Sequence, residues 1–447
     1  NRFSMRFVQH LAQSCLARTG SLLWSWPIVC CRRWKCLYIS RHETISTDQP
    51  SRAFSAACIE SQSLSVLQYI VMARILIITG EASGDLHGAN LAKALRAKDP
   101  QVLLAGIGGT AMEAAGVQLV CKMGQFDVMG MVGPLVLVAI MRRFFFMRRL
   151  FRSEPWDAVI FVDNPGLNLR YAYFAKGAGL RVFYYVAPQI WAWGAWRMYW
   201  IKKRVDQVLV ILPFEKPLYD SAGMRCTFVG HPILDAVEGS YDRTALRSRF
   251  GFAQDERVIG LLPGSRVHEV QALLPILIRA AEQLAHRAPK TKFILAQAST
   301  IQDNLLQPLL RHSSVPVTLV KEQASEVMAV SDVVLVASGT ATLQAAVVGT
   351  PMVLIYRTSE LEFWIASFFL RVKWIGLVNL VAGRSVVPEL LQDEASGQRL
   401  YEEALRILED PAAYAEMKRS LAEVRDALGE PGASVRAAEV IVAACRE

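Results

Sequence analysis

Asp163 closes an apolar run, AVIFV (158–162), inside the segment FVDNPGLNLR (161–170). A carboxylate at the end of such a run, beside Pro165 in a short loop, can act as a general base that takes the proton of an attacking hydroxyl. It can equally cap a helix beginning near Leu167, and the pattern leaves both open. A second loop, GEASGDLHG (80–88), carries three glycines that let the backbone turn tightly and approach a ligand before a helix starts near Leu86. Ser83, Gly84 and Asp85 are its candidate contacts, with helix capping by Ser83 and Asp85 as the other use. The spacing is not G-x-G-x-x-G and no acidic residue ends the next strand, so a nicotinamide or flavin is disfavoured and no cofactor is expected.

Two further loops suit a diphosphate. In LLPGSRVHEV (261–270), Gly264 opens a turn, Ser265 is placed to N-cap the next helix and Arg266 offers a fork of donors. In ASGTATLQ (337–344), Ser338, Gly339 and Thr340 follow a buried run and open another helix, presenting backbone N–H groups and two hydroxyls. Gln344 lies one helical turn beyond Thr340 on the same face, where it would meet ribose hydroxyls or simply water. APQIWAWGAW (187–196) gathers three Trp and a Pro, suited to a sugar or apolar surface or to core.

Strands and helices must hold these loops. RILIIT (74–79), VLLAGI (102–107), AVIFV, RVFYYV (181–186) and QVLVIL (207–212) alternate with helix-like segments, and GHP (230–232) with EGSYDR then marks a linker. The alternation restarts with VIGLL (258–262), KFILA (292–296), VTLV (317–320), DVVLVA (332–337) and PMVLIY (351–356). This predicts an α/β chain of two doubly wound, Rossmann-like domains facing across a cleft, residues 72–238 and 239–396, with helices over 397–447 packing back toward the first domain. Pro411 and Pro431 should divide that helical tail.

A chain of 447 residues is long enough for two cores. Residues 1–71 differ in character, with eight Lys/Arg against three acidic residues, five of the eight cysteines and no apolar period. They read as a non-native or disordered extension ahead of a start at Met72, or else as an Arg- and Ser-rich transit peptide. The remainder carries only +4 of the net +9 and three scattered cysteines, which imply a reducing compartment and no metal cage. No uncharged apolar stretch reaches membrane-spanning length.

VMGMVGPLVLVAIM (128–141) runs into RRFFFMRRLFR (142–152), joining fourteen apolar residues to five arginines among aromatics. Fourteen are too few to span a bilayer but suit a segment resting on an anionic membrane surface, with Val128, Met131, Leu135, Leu137, Arg142, Arg143, Phe144, Phe145, Arg148 and Arg149 as contacts. A buried helix with a basic end is the alternative, and nucleic acid is disfavoured because no recognised module accompanies the arginines. FWIASFFLRVKWIGL (363–377) repeats the mixture.

In order, GEASGD, VMG, DNPGLN, PQIWAW, GHP, LLPGSR-x-x-E, SGTAT and NLVAGR (379–384) resemble the loops of the lipid-A-disaccharide synthase family over essentially all of Met72–Glu447. The resemblance implies an inverting, metal-independent GT-B glycosyltransferase. It would move 2,3-diacylglucosamine from UDP-2,3-diacylglucosamine to 2,3-diacylglucosamine 1-phosphate, giving a β-1,6 disaccharide and UDP, at the cytoplasmic face of a Gram-negative inner membrane. Asp163 matches the base, Arg266 and Ser338–Thr340 match diphosphate contacts, and Asn379, Gly383 and Arg384 match a second-domain binding loop. Asn168 and Glu269 join the substrate-binding set. Two positions depart: Gln344 stands where the family often has Glu, and Gly166 replaces a carboxylate, leaving Asp163 as the only acid of its loop. A UDP-GlcNAc 2-epimerase, the glycosyltransferase of peptidoglycan lipid II, and a non-catalytic nucleotide-sugar binder remain alternatives, and a homodimer is left open.

Overall fold

The computed structural model describes residues 73–123, 134–192, 194–237, 239–359 and 372–446. Residues 1–72, Val128, Met131 and Trp193 lie outside them, as do 363–371 of the second aromatic segment; of Leu135 and Leu137 only the backbone is described.

The first sheet contains β1 (Arg74–Thr79), β2 (Leu103–Gly108), β3 (Gln118–Lys122), β4 (Ala158–Val162), β5 (Arg181–Tyr185), β6 (Gln207–Val210) and β7 (Cys226–Phe228). The second contains β8 (Arg257–Leu262), β9 (Thr291–Gln297), β10 (Val317–Lys321), β11 (Val333–Ala337), β12 (Met352–Tyr356) and β13 (Glu389–Leu391). Spatial orders are β3-β2-β1-β4-β5-β6-β7 and β10-β9-β8-β11-β12-β13, and every pairing is parallel. The runs AVIFV and VVLVA are buried along their whole length, as central parallel strands covered on both faces must be.

The helices between strands of the first sheet are α1 (Ala82–Lys98), α2 (Thr110–Ala114), α3 (Pro134–Ser153), α4 (Pro165–Gly177), α5 (Arg197–Arg204) and α6 (Glu215–Ser221); α7 (Ile233–Ala236) and α8 (Arg243–Arg249) lead into the second. There α9 (Val267–Arg287), α10 (Asp303–Arg311), α11 (Ala324–Val330), α12 (Thr340–Val348) and α13 (Leu377–Ala382) follow, then α14 (Gly397–Glu409), α15 (Pro411–Ala427) and α16 (Ala433–Arg446). In α9, Val270, Leu273, Leu274, Leu277, Ala281 and Leu284 recur at helical spacing and are buried, which is the stripe that seats a helix on a sheet.

The helical tail divides where proline dictates. Pro411 occupies the first turn of α15, where its missing N–H costs nothing, and the Asp410 carboxylate accepts from the Ala412 and Ala413 amides at 2.9 and 3.2 Å. The last helix, α16, packs on α1, with Ala437, Ala438 and Ile441 fully buried. Sequence pattern missed β3, β7 and β13, which are three to five residues long and half exposed at or near sheet edges.

Candidate functional site

Each sheet reverses its strand order once, between β1 and β4 and between β8 and β11. Chains leaving two adjacent strands at such a point diverge to opposite faces, opening a crevice at their carboxyl ends. Thr79 pairs with Val162, so the GEASGD and DNPGLN loops leave side by side. They touch: a Cβ on Gly80 would lie 2.2 Å from Asn164 Nδ2, so a larger residue there would have to push the Asn164 side chain aside.

At this corner Asp163 and Asn164 adopt left-handed backbone, with φ of 53° and 44°, and Val186 beyond the neighbouring strand does so at 58°. For a β-branched residue that is strained, and strain concentrated beside one crevice marks a place where geometry is imposed rather than relaxed. The Asp163 corner is held by its carbonyl, which accepts from Tyr184 OH at 2.6 Å and from Asn168 Nδ2 at 2.8 Å. Its carboxylate, half-buried, makes no hydrogen bond among the described residues, and Asn164 rather than Asp163 occupies the N-cap of α4. The capping alternative for Asp163 therefore falls.

His87 and His231 were not singled out by sequence, yet both belong here. His87, on the first turns of α1, packs edge-on against Tyr185 at 6.4 Å and feels the charge of Asp163. Burial lowers its pKa, against the raising pull of that carboxylate. His231, buried, is pushed down to about 3 by burial and then by His87, and its Nδ1 accepts from the Ile233 amide at 3.1 Å. The His231 imidazole is thus a neutral group with a fixed acceptor side. From it the chain runs into α7, which packs against α12, the helix opened by the SGT turn.

The second corner lies beyond β8 and β11. Gly264 has φ 109°, and Arg266, not Ser265, is the N-cap of α9. The exposed Ser265 and Arg266 amides both point at one oxygen of Glu269, each at 3.3 Å, and the Arg266 guanidinium donates to the other at 3.1 Å. This is a capping box, in which the Glu269 carboxylate takes two helix-end amides and a guanidinium. Across the switch, Gly339 is the N-cap of α12 with Ser338 half-buried and Thr340 exposed, so the free amides of that helix face outward. Gln344 donates to Ser325 Oγ at 2.6 Å and is half-buried.

Several expected contacts have other work. The helix α1 begins at Ala82, four residues early, so Ser83 lies exposed in its first turn while Gly84 is buried against Thr79 and the Val162 carbonyl. Asp85 is buried and caps α2 from outside, accepting from Gly109, Ala111 and Met112 amides at 2.6 to 3.2 Å. Asn168 spends its amide on Val162 and Asp163 carbonyls. Asn379, fully buried, closes its own loop: it donates to the Val387 carbonyl and Glu389 and accepts from Val386 and Val387 amides, leaving nothing for a ligand. Gly383 is the left-handed C-cap of α13, and Arg384 reaches Ser420 and Glu423 on α15.

Along α3 the helical phase sorts the expected membrane contacts. Val138, Met141, Arg142, Phe145, Arg148, Arg149 and Arg152 form one exposed stripe, with Phe145 62% exposed. Arg143 is buried beside Cys121 and Tyr171, and Phe144 packs on Tyr171 and Phe174, both at 5.8 Å, so these two face protein. No described helix is long and apolar enough to cross a membrane.

Glu215, also missed, is 1% exposed beneath the PQIWAW loop; burial raises its pKa to about 7, although Trp191 Nε1 donates to it at 3.0 Å and the Leu212 amide at 3.2 Å.

A model of the lipid-A-disaccharide synthetase family matches residues 75–443. The lipid-A-disaccharide synthase of Geobacter sulfurreducens is 42% identical over 371 residues, covering 83% of this chain and 96% of the relative. That of Myxococcus xanthus is 41% identical over 373 residues, covering 83% and 97%. Among solved structures, Acinetobacter baumannii MurG aligns with TM-score 0.53 at 15% identity over 83% of this chain and 99% of its own. A putative UDP-N-acetylglucosamine 2-epimerase from Listeria monocytogenes aligns with TM-score 0.56 at 14% over 84% and 96%. At such identities these two share a fold with the chain.

Proposed function

The chain belongs to the lipid-A-disaccharide synthetase family, and from that premise we propose how its residues divide one glycosyl transfer. The reaction moves 2,3-diacylglucosamine from UDP to 2,3-diacylglucosamine 1-phosphate and releases UDP. The acceptor hydroxyl oxygen bonds to the anomeric carbon as the bond from that carbon to the UDP oxygen breaks on the opposite face, so the configuration inverts and the hydroxyl proton must go to a base. Asp163 is that base in this reading. The observation that carries it is a carboxylate with no hydrogen bond among the described residues, set by a strained corner at the sheet's crossover point. Charge developing on the departing diphosphate is met by the Arg266 guanidinium and the amide ends of α9 and α12. The packing of α7 on α12 supports the two corners sharing one substrate.

Both substrates carry acyl chains, so the exposed stripe of α3 gains a purpose: Phe145 and Met141 rest in the interface and Arg142, Arg148 and Arg149 meet anionic headgroups on the cytoplasmic face of the inner membrane. The test is mass spectrometry of products after incubation with both lipid substrates. The expected result is the disaccharide 1-phosphate with UDP in equal amount; an epimerised UDP-sugar, or neither product, would overturn the reading.

A further inference from the structure

The C-terminal ends of α3, α4 and α5 meet in an open groove of about 420 Å³ lined by Arg148, Arg152, Lys176, Lys203 and Arg204 over Tyr173 and Phe174. Helices that cover a parallel sheet run against its strands, so this groove lies at the end opposite to Asp163. The chain from Asp163 to Gly177 in α4 rises roughly 20 Å at 1.5 Å per residue. It is therefore separate from the catalytic corner.

Cations gather at helix C-termini for a simpler reason, the partial negative charge there. Two of these five are accounted for locally: Lys176 pairs with Asp206, and Arg204 donates to the Leu169 carbonyl at 2.9 Å while stacking on Trp200 and Tyr173. Arg148 and Arg152 have no acidic partner among the described residues, and the Lys203 ammonium meets only Tyr199. Beside them stand exposed aromatics with amphipathic rims: Tyr173 in the lining, 62% exposed, and Tyr199 against Lys203, 60% exposed. Unneutralised cations over an aromatic floor, flanked by exposed Tyr, match the depth profile of a bilayer interface, with phosphate at the level of the cations and ring faces below.

We propose that this groove binds the phosphate headgroup of an anionic phospholipid, extending the membrane footprint from α3 across α4 onto α5. The proposal rests on the reading that α3 faces a bilayer. Lipid phosphate lies between Arg148, Arg152 and Lys203, and Tyr173 and Tyr199 anchor the same face.

Sedimentation with phosphatidylcholine vesicles, with and without phosphatidylglycerol, tests it on the full chain, with circular dichroism to verify folding of each variant. Arg148→Gln with Arg152→Gln should weaken binding to phosphatidylglycerol vesicles by roughly 10- to 30-fold, from about a factor of five per cation at an anionic surface. The charge-matched pair Arg311→Gln with Lys418→Gln, exposed and outside both the groove and the α3 stripe, should cost clearly less. Equal losses from the two pairs would reduce the effect to net charge and overturn the groove. Displacement of vesicles by inorganic phosphate at matched ionic strength would reassign it to a free anion and also overturn the headgroup. Phe145→Ser probes the α3 reading separately. If it weakens binding while the groove pair binds as the parent does, the groove fails and the α3 reading stands. If the parent ignores both vesicles, both fail.

Discussion

Arg266 donates through Nη1 to Glu269 Oε1 at 3.1 Å, one helical turn apart at the start of α9. Because the other Glu269 oxygen takes the Ser265 and Arg266 amides, this carboxylate occupies the donors that a diphosphate would use. On the proposed function, an incoming UDP must displace it. Arg266→Gln should weaken UDP binding by about 10- to 100-fold, the worth of a charge-assisted hydrogen bond. Glu269→Gln should tighten it severalfold while lowering stability by about 1 kcal/mol through the poorer cap. Calorimetric titration with UDP checks both, and a Glu269→Gln affinity as poor as that of Arg266→Gln would mean the carboxylate positions the guanidinium and does not compete.

Asp163→Asn preserves size and the carbonyl contacts to Tyr184 and Asn168, since those use backbone. It should cut turnover by roughly 100-fold or more with the fold intact. Steady-state rates beside a thermal unfolding curve decide the matter, and near-parental turnover would place the base elsewhere.

Glu215 carries a pH dependence of known sign. Its folded pKa of about 7 stands above the ordinary 4.5, so the folded chain holds this proton more tightly than the unfolded one. The stabilisation is complete below about 4.5 and is lost as pH rises to about 7. Glu215→Gln should remove that part of the slope across the same window, read from denaturation midpoints at a series of pH values. An unchanged slope would show that the carboxyl titrates normally.

Asn379→Ala strands buried backbone groups at Val386 and Val387 and should cost on the order of 3 kcal/mol in stability, measured by denaturant unfolding. A variant as stable as the parent would return Asn379 to the list of ligand contacts.

Much of this was legible from sequence because apolar runs such as AVIFV and VVLVA are long, continuous and bounded by Gly or Pro, and because loops at strand carboxyl ends are where ligands bind. The α/β class, the tandem sheets and the broken helical tail follow from that. What stayed hidden depends on phase and on distant partners. Arg142 and Arg143 are adjacent and chemically identical, yet one is exposed and the other buried, because successive helical positions point about 100° apart. Asp85 looked like a ligand contact because the helix it caps, α2, is remote in sequence. Glu215 sits in an unremarkable PFEK, with nothing nearby to signal its burial. Asn379 entered through family likeness, which carries a position without saying whether it touches substrate or shapes the loop that does.

The last helix gives the first half of the chain its outer wall. Ser434 approaches Tyr185 at 3.5 Å, Arg436 donates to the Val229 carbonyl at 2.8 Å, and Lys98 pairs with Glu439 at 2.7 Å. During synthesis the outer face of α1 and part of β5 therefore keep apolar surface uncovered until residues beyond 430 have left the ribosome. The first half thus receives the last of its cover from the final residues of the chain.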